Sequence, residues 1–284
     1  MPLPVPGRVA EALRRSTVQV VSAHRGAQGN GSGLALTGDR VITNAHVVRG
    51  QRLTVESWEG KSVTASLLKM DRNRDLAVLN VPGLAAEPGT LADSDQLRIG
   101  TPVVAVGNPL GFTGALSSGV VHHIGRAFQM SSSTWIQADL RLAPGNSGGP
   151  LADFHGRVVG INTMIVAGGL ALAIPSRAVQ AFLSRPLTGR KLGVVVRPIE
   201  RPNGGLALII LELVSGGAAE RASLLPGDVL TRANGARFQS VDDLQDAIEQ
   251  ATDALLQLDF ERAGSPAVRH VSVRLLSERV QSAA

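Results

Sequence analysis

The sequence predicts an all-β fold, and three observations carry that reading. Short stretches of alternating or wholly apolar residues recur along the N-terminal part, as half-buried and buried strands require. Turn residues separate nearly all of them, and 32 Gly and 15 Pro make the chain rich in such punctuation. The strands are not followed by the helical patterns that βαβ units need. A barrel or sandwich is expected, not a parallel sheet.

Arg8 to Arg15 read as a short helix, and Thr17–Val21 alternates as a strand does. Gly29-Asn30-Gly31-Ser32-Gly33 is a hairpin signal leading into Leu34-Ala35-Leu36. Arg40–Thr43, Arg52–Glu56, Ser62–Leu68, Leu76–Val81 and Val103–Val106 follow as strands, then Ser117–Ile124, Trp135–Gln137 and Val158–Met164. Ser176–Leu183 is a helical pattern capped by Ser176, and it closes a first domain over residues 1–184. Residues 185–190, Arg185 to Arg190, form a linker. A smaller α+β unit occupies 191–284, with strands at Leu192–Val196, Leu206–Leu213, Asp228–Ala233, Ala254–Glu261 and Val268–Leu275. Its helical patterns fall at Ala218–Ala222 and Val241–Gln250. A chain of 284 residues suits about two domains, each with its own core.

Composition removes several classes of function. Hydrophobic residues make up 44% and charged residues 18%, as in a globular chain. Aromatics are 3% with no Tyr, so the cores must be aliphatic. The absence of Cys excludes disulfides, thiolate metal sites and a cysteine nucleophile. The net charge of +5 is scattered without a Lys/Arg block, which reads as a solvated surface and not a nucleic-acid footprint. No apolar run approaches the roughly 18 residues of a membrane helix, so the chain is not expected to be integral to a membrane. Met1 to Gly7 carries neither a basic n-region nor an uninterrupted apolar h-region. A cytoplasmic location is expected, or a periplasmic or other extracytoplasmic one if a leader was removed.

The chemistry gathers around Ala143-Pro144-Gly145-Asn146-Ser147-Gly148-Gly149-Pro150, one serine among three glycines and two prolines. Glycine permits positive φ and close approach, and proline fixes φ, so a tight turn with outward N–H groups is expected. Such donors suit an oxyanion beside a serine nucleophile. A Gly-rich loop with an incidental serine would read the same, so the rest of the chain must decide. A serine nucleophile needs a base and the base needs an orienting group. Of six histidines, His46 stands at a strand end in Thr43-Asn44-Ala45-His46-Val47-Val48. His122 and His123 are adjacent on a strand and must face opposite ways, while His24, His155 and His270 sit in turn-like or basic surroundings. Asp75 precedes the apolar run Leu76-Ala77-Val78-Leu79 and is the candidate orienter, with Asp71 its competitor. Asp71-x-Asn73-x-Asp75 hints at a calcium loop, but Leu76 and Pro82 occupy the positions that need Gly and Glu. Gly60-Lys61-Ser62 lacks the upstream glycine of a phosphate-binding loop, since Val55 stands there.

The order His46, Asp75, Ser147 is that of chymotrypsin-type proteases. Thr43–Val48, Asp75–Leu79, Gly107-Asn108-Pro109-Leu110-Gly111 and Gly145–Pro150 closely resemble motifs of the HtrA (Deg) family, and Ala173-Ile174-Pro175 resembles the end of its substrate-binding strand. The resemblance implies a two-barrel, chymotrypsin-like serine protease domain followed by a PDZ domain. It implies a serine endopeptidase acting on unfolded or exposed polypeptide, with His46, Asp75 and Ser147 as catalytic residues. Gly145 and Ser147, with Asn146 as a further candidate, would supply oxyanion donors. Arg141, Leu142, Leu170, Ala171 and Leu172 would line the primary pocket. In the second unit, Leu192, Gly193 and Val194 resemble the carboxylate-binding loop for C-terminal peptide tails. Leu224–Leu230 and Ala233-Asn234-Gly235 resemble its turns, and Asp242-Asp243-Leu244 opens the helix beside the groove. No metal or cofactor is implied. Homotrimer assembly is a family option, although the N-terminal segment here lacks the aromatic residues that commonly lock such trimers. Arg141 stands where the family has a small residue, and Ala143 where it often has Asn. The competing function is a PDZ-bearing chaperone or scaffold whose protease barrel rests inactive.

Overall fold

The computed structural model describes residues 5–24, 27–50, 52–72, 74–126, 134–165, 170–184, 190–201, 205–239, 242–263 and 265–277. The chain divides into two units, the first ending at Ser184.

Helix α1 (Gly7–Ser16) opens the first unit, burying Val9, Leu13 and Ser16 along one stripe. Its last turn is satisfied by side chains, because the Ser16 and Thr17 hydroxyls donate to the Leu13 carbonyl at 3.1 and 2.7 Å. Strands β1 (Thr17–His24), β2 (Ala27–Leu36), β3 (Arg40–Thr43), β4 (Arg52–Glu56), β5 (Ser62–Asp71) and β6 (Leu76–Asn80) close into a barrel in the order β1-β2-β3-β6-β5-β4. Strands β7 (Pro102–Gly107), β8 (Ala115–Arg126), β9 (Thr134–Asp139), β10 (Pro150–Asp153), β11 (Val158–Ile165) and β12 (Ala171–Pro175) close a second, in the order β10-β11-β12-β9-β8-β7. Closure leaves no strand edge exposed to pair with another chain.

Strands that are apolar on both faces lie between the barrels. Ala77 and Leu79 of β6 fill the first barrel, whereas Leu76 and Val78 belong to the seam. Val103 and Ala105 of β7 fill the second barrel, and Val104 and Val106 face the seam. Leu13 of α1 and Phe182 of helix α2 (Ser176–Ser184) plug the same seam, and both are nearly inaccessible. Leu13→Ala is expected to cost about 2–5 kcal/mol through lost burial and an unfilled cavity.

Two sequence expectations change. Gly29–Gly33 is not a turn: it lies inside β2, paired with β1 from Ser22↔Gly29 to Val18↔Gly33, and the pairing runs out to His24↔Ala27. Its glycines serve close packing. A Cβ on Gly31 would lie 2.5 Å from a Val47 methyl and 3.2 Å from the Ser147 carbonyl oxygen. Strand β10, which was not anticipated, is formed by the wholly buried Pro150–Asp153 wedged between β7 and β11. The expected linker falls largely on 185–189, outside the described residues, and Arg190 already pairs in a strand.

In the second unit, β13 (Arg190–Lys191) pairs with β20 (Leu276–Ser277). A larger sheet joins β14 (Val194–Glu200), β15 (Leu206–Leu213), β16 (Val229–Ala233), β18 (Leu255–Arg262) and β19 (Ser265–Arg274), with β17 (Ala236–Arg237) paired to β16. Helices α3 (Ala218–Arg221) and α4 (Asp242–Gln250) supply Ala218, Ala219, Leu244 and Ile248 to a core that holds Leu208, Leu230, Leu258 and Phe260 of the sheet. The β16–β17 turn is Asn234-Gly235 with φ of 48° and 79°, the positive pair that favours this dipeptide in hairpins. Asp228, 1% exposed, accepts from the Arg262 guanidinium at 2.7 Å on each oxygen and from the Leu225 N–H at 2.8 Å. Donating to the Asp228 carboxylate holds the Arg262 guanidinium above its usual pKa. This fork pins the turn preceding β16 to the end of β18.

Candidate active site

The end of β3 and the start of β6 bring a histidine and a carboxylate together. Thr43 pairs with Ala77 in that ladder, so the residues following one strand meet those preceding the other. His46 Nδ1 lies 2.8 and 3.0 Å from the two Asp75 oxygens. A carboxylate accepting there fixes the proton on Nδ1 and leaves Nε2 with its lone pair outward. Asp75 also accepts from the His46 backbone N–H at 2.9 Å and from the Thr163 hydroxyl at 2.5 Å. The Asn44 amide donates to the Asp75 carbonyl at 2.9 Å, holding the residue at a left-handed φ of 54°. His46 is 42% exposed at its side chain and Asp75 17%, so the base is open to solvent and its orienter is sheltered.

Asp71 does other work. It accepts from the Arg74 N–H at 3.0 Å and pairs with the Arg74 guanidinium at 2.7 Å, which ties off the turn between β5 and β6. His122, His123, His155 and His270 are exposed. A register shift between Val121 and His123 puts both adjacent histidines outside the barrel, against the expected alternation.

The serine turn precedes β10. The Ser147 hydroxyl donates to the Thr163 carbonyl at 2.8 Å, and neither Ser147 Oγ nor His46 Nε2 makes another hydrogen bond among the described residues. The Asn146 N–H is engaged, donating to the Ala143 carbonyl at 3.0 Å, so it cannot serve an oxyanion as the sequence allowed. The N–H groups of Gly145 and Ser147 have no partner among the described residues. The Leu110 N–H donates to the Pro144 carbonyl at 3.3 Å, and peptide planarity turns the Gly145 N–H the opposite way.

This backbone is braced from β2. The Ser32 hydroxyl donates to the Gly145 carbonyl at 2.6 Å and accepts from the Asn108 N–H at 2.8 Å, and the Ser32 N–H donates to the Ser147 carbonyl at 2.7 Å. Gly145 has φ 106°, and a Cβ there would sit 2.7 Å from the Asn108 carbonyl oxygen. A Cβ on Gly148, at φ 88°, would overlap the Ser32 carbonyl and the Thr43 hydroxyl. Only glycine fits either place.

Sequence reasoning missed Thr163 and Ser32. Thr163 links the halves, its hydroxyl on Asp75 and its carbonyl on Ser147, across 88 and 16 positions of chain. Ser32 acts over 113 positions. Its one local signal was an odd hydroxyl in a glycine run, which read as turn chemistry.

Of the residues expected to line a pocket, Ala171 and Leu172 of β12 are sealed from solvent, and Ala171 belongs to the second barrel's core. Leu142 packs against that cluster, Leu170 is half-buried and Arg141 is exposed, its N–H donating to the Ser117 hydroxyl at 3.0 Å. In the second unit Leu192 is buried and Gly193 has φ 78°. The Ala219 N–H donates to the Leu192 carbonyl and the Val214 N–H to the Gly193 carbonyl, each at 2.9 Å. The N–H groups of Gly193 and Val194 therefore point the other way, beside the edge strand β14.

Among the described residues no group of His, Cys, Asp and Glu is arranged to hold a metal ion. Nor is any described helix long and apolar enough to cross a membrane.

Residues 31–161 match the trypsin-like peptidase domain family, and 209–262 match the PDZ domain family. A probable periplasmic serine endoprotease, DegP-like, of Ectopseudomonas mendocina is 32% identical over 284 residues, covering 92% of this chain and 59% of that protein. A protein of the same description from Chlamydia trachomatis is 34% identical over 242 residues, covering 77% of this chain and 48% of its own length. The chain spans about half the length of the curated relatives it matches. Among solved structures, an HtrA-type protease AlgW with decapeptide superposes with TM-score 0.69 at 22% identity, over 94% of this chain and 97% of that one. A serine endoprotease from Yersinia pestis does so with TM-score 0.70 at 22% identity, over 98% and 100%. These structural likenesses establish the shared fold: a two-barrel, chymotrypsin-like domain followed by a PDZ domain. The matched family models and the sequence relatives place this chain in the HtrA (DegP-like) family of trypsin-like serine proteases that carry a C-terminal PDZ domain.

Proposed function

We propose that the chain is a serine endopeptidase that hydrolyses peptide bonds in unfolded or exposed polypeptide segments. The observation that carries this reading is the His46–Asp75 pair, with Nδ1 at 2.8 Å from the carboxylate, joined through Thr163 to a serine turn whose Gly145 and Ser147 N–H groups have no partner among the described residues. Rotation about the Cα–Cβ bond of Ser147 moves Oγ from the Thr163 carbonyl toward His46 Nε2. Oγ then attacks the scissile carbonyl carbon while Nε2 takes its proton, and Asp75 stabilises the imidazolium that forms. The N–H groups of Gly145 and Ser147 receive the developing oxyanion, each worth about 3–4 kcal/mol in such sites. Collapse expels the amine, which takes the proton from His46. Water, deprotonated by the same Nε2, then hydrolyses the Ser147 ester.

Thr163 is a positioning residue in this scheme, since it touches Asp75 and Ser147 but no reacting carbonyl. Of the pocket candidates, Ala171 and Leu172 are sealed inside the barrel, so the half-buried Leu142 and Leu170 supply the aliphatic wall beside the exposed Arg141, which favours small or medium aliphatic residues before the cleaved bond. The PDZ unit takes polypeptide C-termini as an added strand on β14, with the terminal carboxylate on the N–H groups of Gly193 and Val194. The relatives' descriptions support a periplasmic setting.

Hydrolysis of unfolded casein tests the assignment. Ser147→Ala and His46→Ala are each expected to abolish it with unchanged melting temperature, because members of such a unit lose activity together. Wild-type rates in Ser147→Ala would overturn the nucleophile. Casein left intact by the unmutated chain, with C-terminal peptides still bound, would favour the scaffold instead.

A further inference from the structure

The outer face of the PDZ sheet contains a cleft of about 390 Å³ that the peptide-binding reading does not use. A row of charged residues crosses its floor in register: Arg237 opposite Arg232, Arg232 opposite Asp259, and Asp259 opposite His270. The carboxylates of the cleft are already engaged. Asp259 accepts from His270 at 2.7 Å and Glu261 from Arg201 at 2.8 Å. Arg232 and Arg237 make no hydrogen bond or ion pair among the described residues, although both line the cleft.

Like charges directly opposite on neighbouring strands destabilise a sheet, and Asp259, which faces Arg232 from the other neighbouring strand, accepts from His270 and makes no ion pair with either arginine among the described residues. Guanidinium groups present planar forks of donors that match oxyanions in a bidentate way, which makes two of them a receptor for a doubly charged head. Leu206 and Val268 add apolar wall, and the volume exceeds what a bare oxyanion fills. We propose that this cleft binds an organic phosphate monoester, with its dianionic head between Arg232 and Arg237 and its apolar part against Leu206 and Val268. The site is separate from the carboxylate loop at Leu192–Val194 and does not depend on the protease reading.

Calorimetric titration of the whole chain with phenyl phosphate tests this. Saturable one-to-one binding is expected, weakened about tenfold or more by R232Q/R237Q and less by Arg237→Lys. Phenyl phosphate is also expected to raise the melting temperature of the unmutated chain and leave that of the double variant unchanged. The double variant relieves the Arg232–Arg237 repulsion and also removes the arginine facing Asp259, so its own melting temperature without ligand is the baseline for that comparison. Vesicles containing phosphatidic acid distinguish the source of the phosphate. Retention lost in the double variant assigns a lipid headgroup, and phenyl phosphate binding without retention assigns a soluble ester. No saturable heat with the unmutated chain, or equal affinity in R232Q/R237Q, would overturn the proposal.

Discussion

The turn around Ser147 and the loop at Leu192–Val194 solve the same local problem with different rigidity. Each uses a glycine at positive φ, 106° at Gly145 and 78° at Gly193, and each engages a carbonyl so that the next N–H points the other way, as the proposed oxyanion and carboxylate roles require. Around Gly145 the fit is close, since an added Cβ would meet the Asn108 carbonyl oxygen at 2.7 Å and the Pro109 Cα at 2.8 Å. Around Gly193 its nearest contacts would be at 3.4 Å, ordinary van der Waals separation. The first loop is locked by the Ser32 hydroxyl and β2, the second by backbone bonds with no side-chain bond among the described residues. Donors aimed at a charge that exists only in a transition state must be fixed beforehand, while a stable carboxylate can draw a looser loop around itself.

Alanine at the two glycines tests that difference most severely. Gly145→Ala forces a Cβ into backbone atoms and strains φ, so the donor is displaced and kcat is expected to fall about 100- to 1,000-fold. Gly193→Ala meets only the conformational cost of about 1–2 kcal/mol. Its expected result is peptide affinity reduced about tenfold, with hydrolysis of a small chromogenic substrate unchanged. Equal losses in both variants, measured by steady-state kinetics and peptide titration, would erase the distinction.

Ser32→Ala sharpens the account of what locks the turn. It leaves the buried Gly145 carbonyl and Asn108 N–H without their partner, which costs about 1–3 kcal/mol of stability. We expect kcat to fall by roughly tenfold to a hundredfold while KM stays constant, since the donors loosen without loss of substrate contacts. A kcat unchanged beside a lowered melting temperature would make Ser32 purely structural.

Thr163→Val removes the hydroxyl from Asp75 and preserves both shape and the carbonyl that holds Ser147. The loss of one hydrogen bond to a charged group, about 1.5–3 kcal/mol in full, sets an upper bound of roughly a hundredfold, and since the His46–Asp75 contact survives, a kcat about tenfold lower is expected. Restoration by Thr163→Ser would separate positioning from packing. The smallest effect is expected at Asp71→Asn, where hydrolysis remains within about twofold because Asp71 serves Arg74 and not His46.

These residues also mark what the sequence could disclose. The barrels were legible because apolar runs and turn residues repeat locally, and Leu76–Leu79 betrayed its double burial by being apolar on both faces. His46, Asp75 and Ser147 could be proposed from motif and order, each beside a recognisable strand end or glycine turn, and the His46–Asp75 contact is what the structure adds. Ser32 was misread because Gly29–Gly33 has the composition of a turn, and only the packing of Val47 and the serine turn against it demands glycine in a strand. Thr163 was silent for a related reason. A threonine in a strand is ordinary, and its role arises from partners brought together by barrel closure. The availability of Gly145 over Asn146 as a donor is likewise a property of one peptide's orientation, which composition does not encode.

The most direct measurement is the covalent labelling of Ser147 by a serine-directed fluorophosphonate, located by peptide mass. One phosphonyl group on Ser147 is the expected result, with labelling lost in Ser147→Ala and strongly slowed in His46→Ala and Gly145→Ala. Labelling at a different serine, or labelling of Ser147 at the same rate in the His46→Ala and Gly145→Ala variants, would contradict the site described here.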